Sequence, residues 1–413
     1  MYIYHEGEKI RLASKVRLNV QGLGELRIRS PLISAQDLIR DFKVRNGKLV
    51  SKKKAISGDK LKIAMVGVWG IPCGIATYTS FLVDELRQTA HEVRVFAERN
   101  AHEVEDPNVV YCWKRGESLT GLTEQLKDYD PDIIYIQHEY GIFPDARKWT
   151  KFISDIQDYN YYIVLHSVYK HKDKTVCEAI CKNIIVHTEI AKQVLEEKGV
   201  AANIYVVPHG CFELQNTSRL WNIYRSNQTI IQFGFGFEYK GWDIALEAVR
   251  LLKQKYPEVF YLILFSESSF SQDFHNSQYD KLQDMILAKD LVDNVAVIRG
   301  FQTDESLGSF LRTARVAIFP YTAHPEHIVY GSSGAVRIAM SHGTPSVVST
   351  VPLFYDLEGT LPRAADSEEL AAEIDRLFSD TRHYKEVVKK EMEFTKKHSW
   401  RAVARKYLKI AVP

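Results

Sequence analysis

The segment FGFGFEYKGWD, residues 233–243, places Lys240 between a glycine-rich strand end and the start of a helix. The partial positive charge of a helix N-terminus repels a cation, so this position is unfavourable for an ammonium group alone. An anion bound between the lysine and the helix removes the conflict, because free N–H groups and the lysine would both contact it. The segment therefore predicts an anion site, with a diphosphate as the ligand.

A second segment, YGSSGAVRIAMSHGTP, has serines and glycines directly before an apolar helix. Ser332 and Ser333 suit a helix N-terminus, and the flanking glycines allow a ligand to approach the backbone closely. An ordinary helix cap accounts for the same residues. A second helix start at the sheet edge that carries Lys240 favours a phosphate site, where two helix ends and this lysine converge.

The loop VWGIPCGIATYT, residues 68–79, places Gly70 and Gly74 between an apolar strand that begins near Leu61 and the helix that follows it. Such a turn exposes N–H groups to an anion, and a tight strand-to-helix turn explains the glycines equally well. The loop lacks the G-x-G-x-x-G spacing of a dinucleotide site, which disfavours hydride chemistry.

Three histidines follow apolar strands directly. His138, in the segment QHEYG, is followed by Glu139, and His166 and His209 occupy similar strand ends. A histidine there can orient a sugar hydroxyl or transfer a proton, and the alternative is a histidine hydrogen-bonded within its own loop. The recurrence predicts a polar cleft, and which of the histidines faces the ligand stays open.

These residues need a framework that brings strand ends together. From Leu61 the chain alternates apolar runs with amphipathic helical stretches, which predicts an α/β fold with two Rossmann-like domains facing a cleft. Ligands of such sheets bind beyond the carboxyl ends of the strands. The predicted boundaries are residues 1–60 for a small, basic, β-rich accessory module, 61–225 for the first domain, 226–395 for the second, and 396–413 for a helix that crosses back to the first.

The composition, 45 % hydrophobic and 26 % charged over 413 residues, is typical of a soluble globular protein. The start of the chain has no signal-peptide pattern, and an odd count of five cysteines indicates a reducing compartment. We therefore expect a cytoplasmic protein, with peripheral membrane contact left open. Cys177 and Cys181 could share a metal, but no second ligand pair accompanies them, so we expect no metal site.

The charge is unevenly distributed along the chain. Residues 1–62 hold 15 Lys or Arg and 6 Asp or Glu, a net charge of +9, which leaves −7 for the remainder of a chain of net charge +2. A basic leading segment could bind a polyanion such as nucleic acid, lipid head groups or a phosphorylated carrier. A solvated charged surface is the alternative.

Five segments, in their order along the chain, resemble the GT-B glycosyltransferases, specifically the retaining family four. The segments are GIATYTSFLVDEL, YIQHEYG, VVPHG, FGFGFEYKGWDIALEA and SSGAVRIAMSHGTPSVVS. The resemblance covers residues 61–400. It implies a nucleoside-diphosphate-sugar donor, for example a UDP-sugar, held mainly by the second domain, with the acceptor largely on the first. It also implies a metal-independent hexosyl or pentosyl transfer that retains the anomeric configuration.

Residue by residue, the resemblance implies that Lys240 binds the diphosphate and that His138 lies near the transferred sugar, so both are the expected catalytic residues. The other expected donor contacts are Gly74, Ile75, Ser333, Gly334 and Ala335. Contacts with the sugar or the acceptor are expected from Glu139, His166, His209 and Glu326.

Two features of the family are absent. Phe235 or Phe237 stands where an arginine is usual, and Tyr330 and Ile338 occupy the positions of the paired glutamates. These absences favour one alternative, a non-catalytic protein that binds nucleotide sugars or polyanions. A sugar-nucleotide epimerase or a phosphorylase on the same architecture is the other alternative. The basic module permits DNA, lipid-linked or polymeric glycan acceptors, and a neutral sugar chain or another protein equally.

Overall fold

A computed structural model describes the chain over residues 60–89, 91–100, 103–170, 181–213, 228–267, 272–323 and 328–412, together with the backbone of six strands before residue 52. Those six strands pair as three antiparallel hairpins. The hairpins are β1 (Tyr2–His5) with β2 (Glu8–Arg11), β3 (Val16–Val20) with β4 (Gly24–Ile28), and β5 (Phe42–Arg45) with β6 (Lys48–Ser51).

The first domain is a seven-stranded, all-parallel sheet with helices on its faces. Its central strands are apolar runs buried on both sides, as parallel sheets require. The strands are β7 (Lys62–Gly67), β8 (Glu92–Glu98), β9 (Val109–Trp113), β10 (Ile133–His138), β11 (Tyr161–Leu165), the two-residue β12 (Ser167–Val168) outside this sheet, β13 (Asn183–Val186) and β14 (Asn203–Val206). The helices are α1 (Gly74–Gln88), α2 (Thr120–Tyr129), α3 (Ala146–Asp155) and α4 (Glu189–Glu197). The spatial order β14-β13-β11-β10-β7-β8-β9 is that of a Rossmann fold.

The second domain repeats the architecture with six parallel strands in the order β17-β16-β15-β18-β20-β21. The strands are β15 (Thr229–Phe235), β16 (Phe260–Ser266), β17 (Val295–Arg299), β18 (Val316–Phe319), the two-residue β19 (Tyr330–Gly331) outside this sheet, β20 (Ser346–Ser349) and β21 (Arg363–Ala364). The helices are α5 (Trp242–Lys253), α6 (Gln272–Ala288), α7 (Asp304–Thr313), α8 (Gly334–Ser341), α9 (Ser367–Ser379) and α10 (Thr381–Lys397). Short 3₁₀ helices cover Glu238–Lys240 and Pro352–Leu357.

A short antiparallel ladder joins the two domains. In it β12 pairs with β19, with Ser167 opposite Gly331 and Val168 opposite Tyr330. The two strands approach closely, because a Cβ atom on Gly331 would lie 2.5 Å from the His166 carbonyl oxygen. The backbone bridge therefore ends directly beside the Ser332–Ser333 turn of the second domain.

The last helix, α11 (Trp400–Ala411), returns to the first domain. The Tyr407 hydroxyl lies 2.8 Å from the Tyr78 hydroxyl, and the Tyr135 hydroxyl donates to the Tyr407 carbonyl at 2.7 Å. The α/β fold predicted from the sequence, with two Rossmann-like domains, is confirmed. Among the described residues, every helix is too short or too polar to cross a bilayer.

Candidate active site between the two domains

A cavity of about 940 Å³ is lined by residues of both domains. This volume lies within the range of small-molecule and cofactor sites in proteins. Residues from the loops after β7, β10, β11, β15 and β18 contribute to the lining, so the cavity opens at the carboxyl ends of both parallel sheets. Of the residues predicted from the sequence, those that line it are Gly74, Ile75, Glu139, His166, His209, Lys240, Ser333, Gly334 and Ala335.

Lys240 is a buried cation with a hydroxyl, not a carboxylate, as its partner. Its side chain is 6 % exposed, and its Nζ donates to the Tyr321 hydroxyl at 2.6 Å. The ammonium group also lies 4.0 Å from the centre of the Tyr321 ring and 5.0 Å from that of Tyr239. Burial lowers the pKa of Lys240 to about 7, and among the described residues no acid raises it. An anionic ligand beside Lys240 would raise this pKa and favour the charged, ammonium form of the side chain.

The start of α8 lies beside this lysine. Ser333 is the N-cap residue, and its side chain accepts no hydrogen bond from the first turn of the helix. The Tyr321 hydroxyl hydrogen-bonds the Ser333 side chain as well as Lys240, so one phenol links the lysine to the turn. The N–H groups at the start of α8 have no capping side chain and lie where an anion would reach them together with the lysine.

The second helix end at the cavity is that of α1, and this corrects the sequence analysis. Helix α5, which follows Lys240, begins at Trp242, whose side chain is 3 % exposed and does not line the cavity. Cys73 and Gly74 at the start of α1 do line it, and the Cys73 side chain makes no capping bond. Asp304 at the start of α7 lines the cavity as well, so helix starts reach it from both domains, α1 from the first and α7 and α8 from the second.

Gly234 shapes the pocket around Lys240. Its φ of +136° is a conformation that residues with a side chain rarely adopt, and a Cβ atom there would lie 3.2 Å from Lys240 Nζ. The glycine therefore lets the ammonium group lie against the strand end.

Arg337 and Asp356 are site residues that the sequence analysis did not identify. The Arg337 guanidinium is 1 % exposed, lines the cavity and pairs with the Asp356 carboxylate. Its Nη1 donates to the Ser333 carbonyl at 3.0 Å, and its Nη2 donates to the Ser332 hydroxyl at 3.3 Å. Burial raises the pKa of Asp356, and the Arg337 charge opposes that rise. A second buried cation therefore lies beneath the serine turn.

His166 and His209 line the cavity from the first domain. The Nε2 of His166 lies 2.8 Å from the Gln137 side-chain oxygen, and the Nδ1 of His209 donates to the Gly210 carbonyl at 2.8 Å. Burial holds the pKa of both histidines well below the usual range, with Arg337 adding to the effect at His209. Because a carbonyl only accepts, Nε2 of His209 is left as a hydrogen-bond acceptor. Both rings are neutral, but Nδ1 of His166 lies 3.4 Å from His187 Nε2, so the ring with a nitrogen left for a ligand hydroxyl is that of His209.

His138 does not face the cavity, which argues against the predicted contact with substrate. The ring is fully buried between Tyr140, Phe143 and Trp149, with centroid distances of 5.3, 5.7 and 4.7 Å. Burial lowers its pKa to about 3, and neither ring nitrogen has a hydrogen-bond partner among the described residues. The loop after β10 brings Phe143 and α3 brings Trp149 over this strand end, and the sequence does not reveal that closure. A role in contact with the sugar does not follow from this position.

The structure also shows where the residues lie that replace the family's arginine and paired glutamates. Phe235, Phe237 and Ile338 line the cavity, and Tyr330 is buried within β19. The cavity wall is therefore apolar where the resemblance leads one to expect an arginine and a glutamate. Glu326 lies outside the described residues, and so does Cys177, whereas Cys181 is a buried free thiol.

No group of three or more His, Cys, Asp or Glu side chains is arranged to hold a metal ion within the part of the chain that the structure describes. The acids that line the cavity are Glu139 and Asp304, and the bases are Arg115, Lys240 and Arg337. Arg115 pairs with Glu98 and Arg337 with Asp356, so Lys240 is the base of this set that has no carboxylate partner among the described residues and is available to an anionic ligand.

Two models of protein families match the chain. The model described as Glycosyltransferase Family 4 matches residues 72–211, and the model described as Glycosyl transferases group 1 matches residues 227–380. The two matches fall on the first and the second Rossmann-like domain respectively. A comparison with curated proteins gave no significant match.

Solved structures with the same fold include a glycosyltransferase from Rickettsia africae ESF-5, 15 % identical with a TM-score of 0.68 over 86 % of this chain and 98 % of that one. Sucrose-phosphate synthase from Thermosynechococcus elongatus is 17 % identical, with a TM-score of 0.66 over 85 % and 98 %. Anabaena HepE, solved in complex with UDP and glucose, is 15 % identical, with a TM-score of 0.64 over 85 % and 99 %. Together with the two domain matches, these similarities show that the chain belongs to the GT-B glycosyltransferases, with a family 4 domain followed by a group 1 domain.

Proposed function

We propose that the protein transfers a sugar from a nucleoside-diphosphate sugar to an acceptor hydroxyl, with retention of the anomeric configuration and without a metal ion. The observation that carries the proposal is Lys240, a buried ammonium group that has no acidic partner among the described residues and shares the Tyr321 hydroxyl with Ser333 at the uncapped start of α8. HepE, a structural neighbour, was solved with UDP and glucose, so a UDP-sugar is the donor that we propose first.

In the transfer, the bond between the anomeric carbon and the diphosphate oxygen breaks, and its electron pair goes to the diphosphate. The acceptor oxygen forms the new bond on the same face, and its proton goes to the released diphosphate. Negative charge thus grows on the leaving group. Lys240 and the N–H groups from Ser333 to Ala335 are the groups that would stabilise it, and each preorganised donor of this kind is worth roughly a hundred- to a thousand-fold in turnover.

Neutral histidines are expected on the sugar side of the cavity. His166 and His209 lie in the first-domain wall, and Nε2 of His209 lies 3.2 Å from the position that a Cβ atom on Gly334 would take. We assign His209 to a hydroxyl contact, because a neutral imidazole next to a forming sugar cation avoids charge repulsion. Glu139 lines the same wall, where its carboxylate accepts from the Tyr140 N–H at 3.1 Å.

Incubation with a panel of sugar nucleotides, with acceptors and with EDTA, tests the proposal. Release of nucleoside diphosphate with formation of a product of unchanged anomeric configuration, at the same rate with the chelator, supports it. Conversion of the donor without an acceptor indicates an epimerase, and dependence on inorganic phosphate indicates a phosphorylase. An inverted product, or loss of turnover on chelation, contradicts the proposal.

A non-catalytic binding protein is the second candidate, because a buried tyrosine and an isoleucine occupy the two glutamate positions. Tyr330 is 6 % exposed in the interdomain ladder, and Ile338 contributes an apolar side chain to the cavity wall. Calorimetry separates the candidates, since a binding protein binds UDP and the donor without releasing nucleotide.

We also propose that the acceptor, or its carrier, is polyanionic and contacts the leading segment. Residues 1–62 carry a net charge of +9, and a segment with such an excess of lysine and arginine attracts polyanions. Binding of heparin as a model polyanion should weaken steeply with salt, and Arg17→Gln with Arg27→Gln should reduce that salt slope. A salt slope unchanged by the double substitution contradicts this assignment.

A further inference from the structure

Arg337 is directed back along its own helix, toward the turn that begins α8. It is the fourth residue of the helix, and its two terminal nitrogens reach the Ser333 carbonyl and the Ser332 hydroxyl. Side chains on a helix tilt toward its N-terminus, which makes this reach possible. The guanidinium thus binds the residues that precede the helix.

This arrangement is electrostatically unfavourable without a ligand. A cation near a helix N-terminus opposes the helix dipole, and here it is also withdrawn from water. Asp356 offsets one charge, but Nε of Arg337 and Oδ1 of Asp356 have no hydrogen-bond partner among the described residues. Lys240 lies in the same cavity and has no carboxylate partner among the described residues, so it adds a buried cation that Asp356 does not offset.

The contacts of Arg337 also favour a role at the site over a role in core packing. Replacing a buried ion pair by apolar side chains of similar size is often neutral or stabilising, so stability alone does not explain a guanidinium here. Its hydrogen bonds go to Ser332, Ser333 and Asp356, and the two serines form the turn that faces the cavity.

We propose that Arg337 is a positioning residue for the donor diphosphate. Held by Asp356, the guanidinium fixes the carbonyl of Ser333 and the hydroxyl of Ser332, so that the N–H groups at the start of α8 stay directed at the phosphates. The inference rests on the proposed function, because it requires a diphosphate ligand at this turn. It assigns to Arg337 the placement of backbone donors, without a direct contact with the reacting atoms.

The test compares binding of UDP, pyrophosphate and uridine to the wild-type protein and to Arg337→Met by calorimetry. We expect the variant to lose at least tenfold in affinity for UDP and pyrophosphate and to bind uridine as the wild-type protein does. A general loss of structure would weaken all three ligands alike. Arg337→Lys, which keeps the charge and loses the fork of donors, should restore part of the UDP affinity.

Arg315→Met is the matched control. Arg315 is a half-buried arginine of the same domain, donates to the Leu377 carbonyl at 3.0 Å, stacks on Tyr384 and does not line the cavity. This variant should bind UDP within twofold of the wild-type protein. Where Arg337→Met does not fold, Ser332→Ala and Asp356→Asn provide the same comparison.

Binding of UDP within twofold of wild type by folded Arg337→Met, or an equal loss for uridine, overturns the inference. Failure of the wild-type protein itself to bind either UDP or pyrophosphate is a separate result, because it contradicts the proposed function before any variant is compared.

Discussion

Donor binding should be linked to protonation of Lys240, and the structure sets the size of the effect. Without ligand the pKa of this lysine is about 7, because the side chain is buried and its one acceptor among the described residues is the neutral Tyr321 hydroxyl. A bound diphosphate favours the ammonium form and raises the pKa toward its ordinary value. Above neutral pH the protein must therefore take up a proton as the donor binds.

The cost of that proton follows from the pKa. Each pH unit above the free value costs about 1.4 kcal/mol, so the dissociation constant of the donor should rise about tenfold per unit between pH ~7.5 and ~9. The neighbouring phenols do not titrate in this window, because burial raises the pKa of Tyr239 to about 12 and holds that of Tyr321 far above neutrality. A buried hydrogen bond to a charged group contributes about 1.5–3 kcal/mol, so Lys240→Met should weaken binding roughly ten- to 150-fold near pH ~7.

Isothermal calorimetry of a UDP-sugar in two buffers of different ionisation enthalpy measures both quantities. The diphosphate of a sugar nucleotide has no ionisation near neutrality, so proton uptake reports on the protein. We expect uptake close to one proton at pH ~8.5 for the wild-type protein and none for Lys240→Met. Equal pH slopes in the two proteins, or a wild-type affinity independent of pH, would refute the assignment of the ammonium group to the diphosphate.

Three further substitutions give four expected outcomes. Tyr321→Phe removes the hydroxyl between Lys240 and Ser333 and should weaken UDP binding about fivefold, from the roughly 1 kcal/mol of a hydrogen bond, whereas an unchanged affinity would contradict the link. Gly331→Ala places a Cβ atom 2.5 Å from the His166 carbonyl, so it should cost about 1–3 kcal/mol in the free energy of unfolding and reduce turnover; a denaturation midpoint equal to that of the wild-type protein would argue against a tight ladder. His138→Phe should keep the donor KM and most of kcat, since the ring does not line the cavity, and a hundredfold loss in a folded variant would restore its catalytic role. The pKa of His138 is about 3 in the folded state, so the unfolded state binds its proton first, and between pH ~6.5 and ~5 the wild-type protein should lose about 2 kcal/mol that His138→Phe retains.

The sequence was sufficient to predict the fold and the side of the sheets where the site lies. Apolar runs such as β7 and β10, alternating with amphipathic helices, are typical of strands buried in a parallel sheet, and the carboxyl-end rule then places Lys240 and His166 at the cleft. The same rule places Tyr321 at the cleft, because it follows β18 closely. Its residue type, however, does not distinguish a ligand-site tyrosine from an ordinary core residue.

The rest depended on tertiary packing. His138 follows the same rule as His166, but Phe143 and Trp149 fold over it, and strand position alone does not distinguish the two histidines. Arg337 is a single basic residue in an apolar helix. Its burial is explained by an ion pair with Asp356, which lies in a separate 3₁₀ helix. Pairings of this kind join segments with no common sequence pattern, so they become visible only in the folded chain.

The most direct test of the account is a crystal structure of the protein soaked with UDP. The account predicts both phosphates in the interdomain cavity, within hydrogen-bond distance of Lys240 Nζ and of the N–H groups at the start of α8. Phosphates bound elsewhere, or an ammonium group of Lys240 that keeps Tyr321 as its sole partner while UDP occupies the cavity, would contradict it.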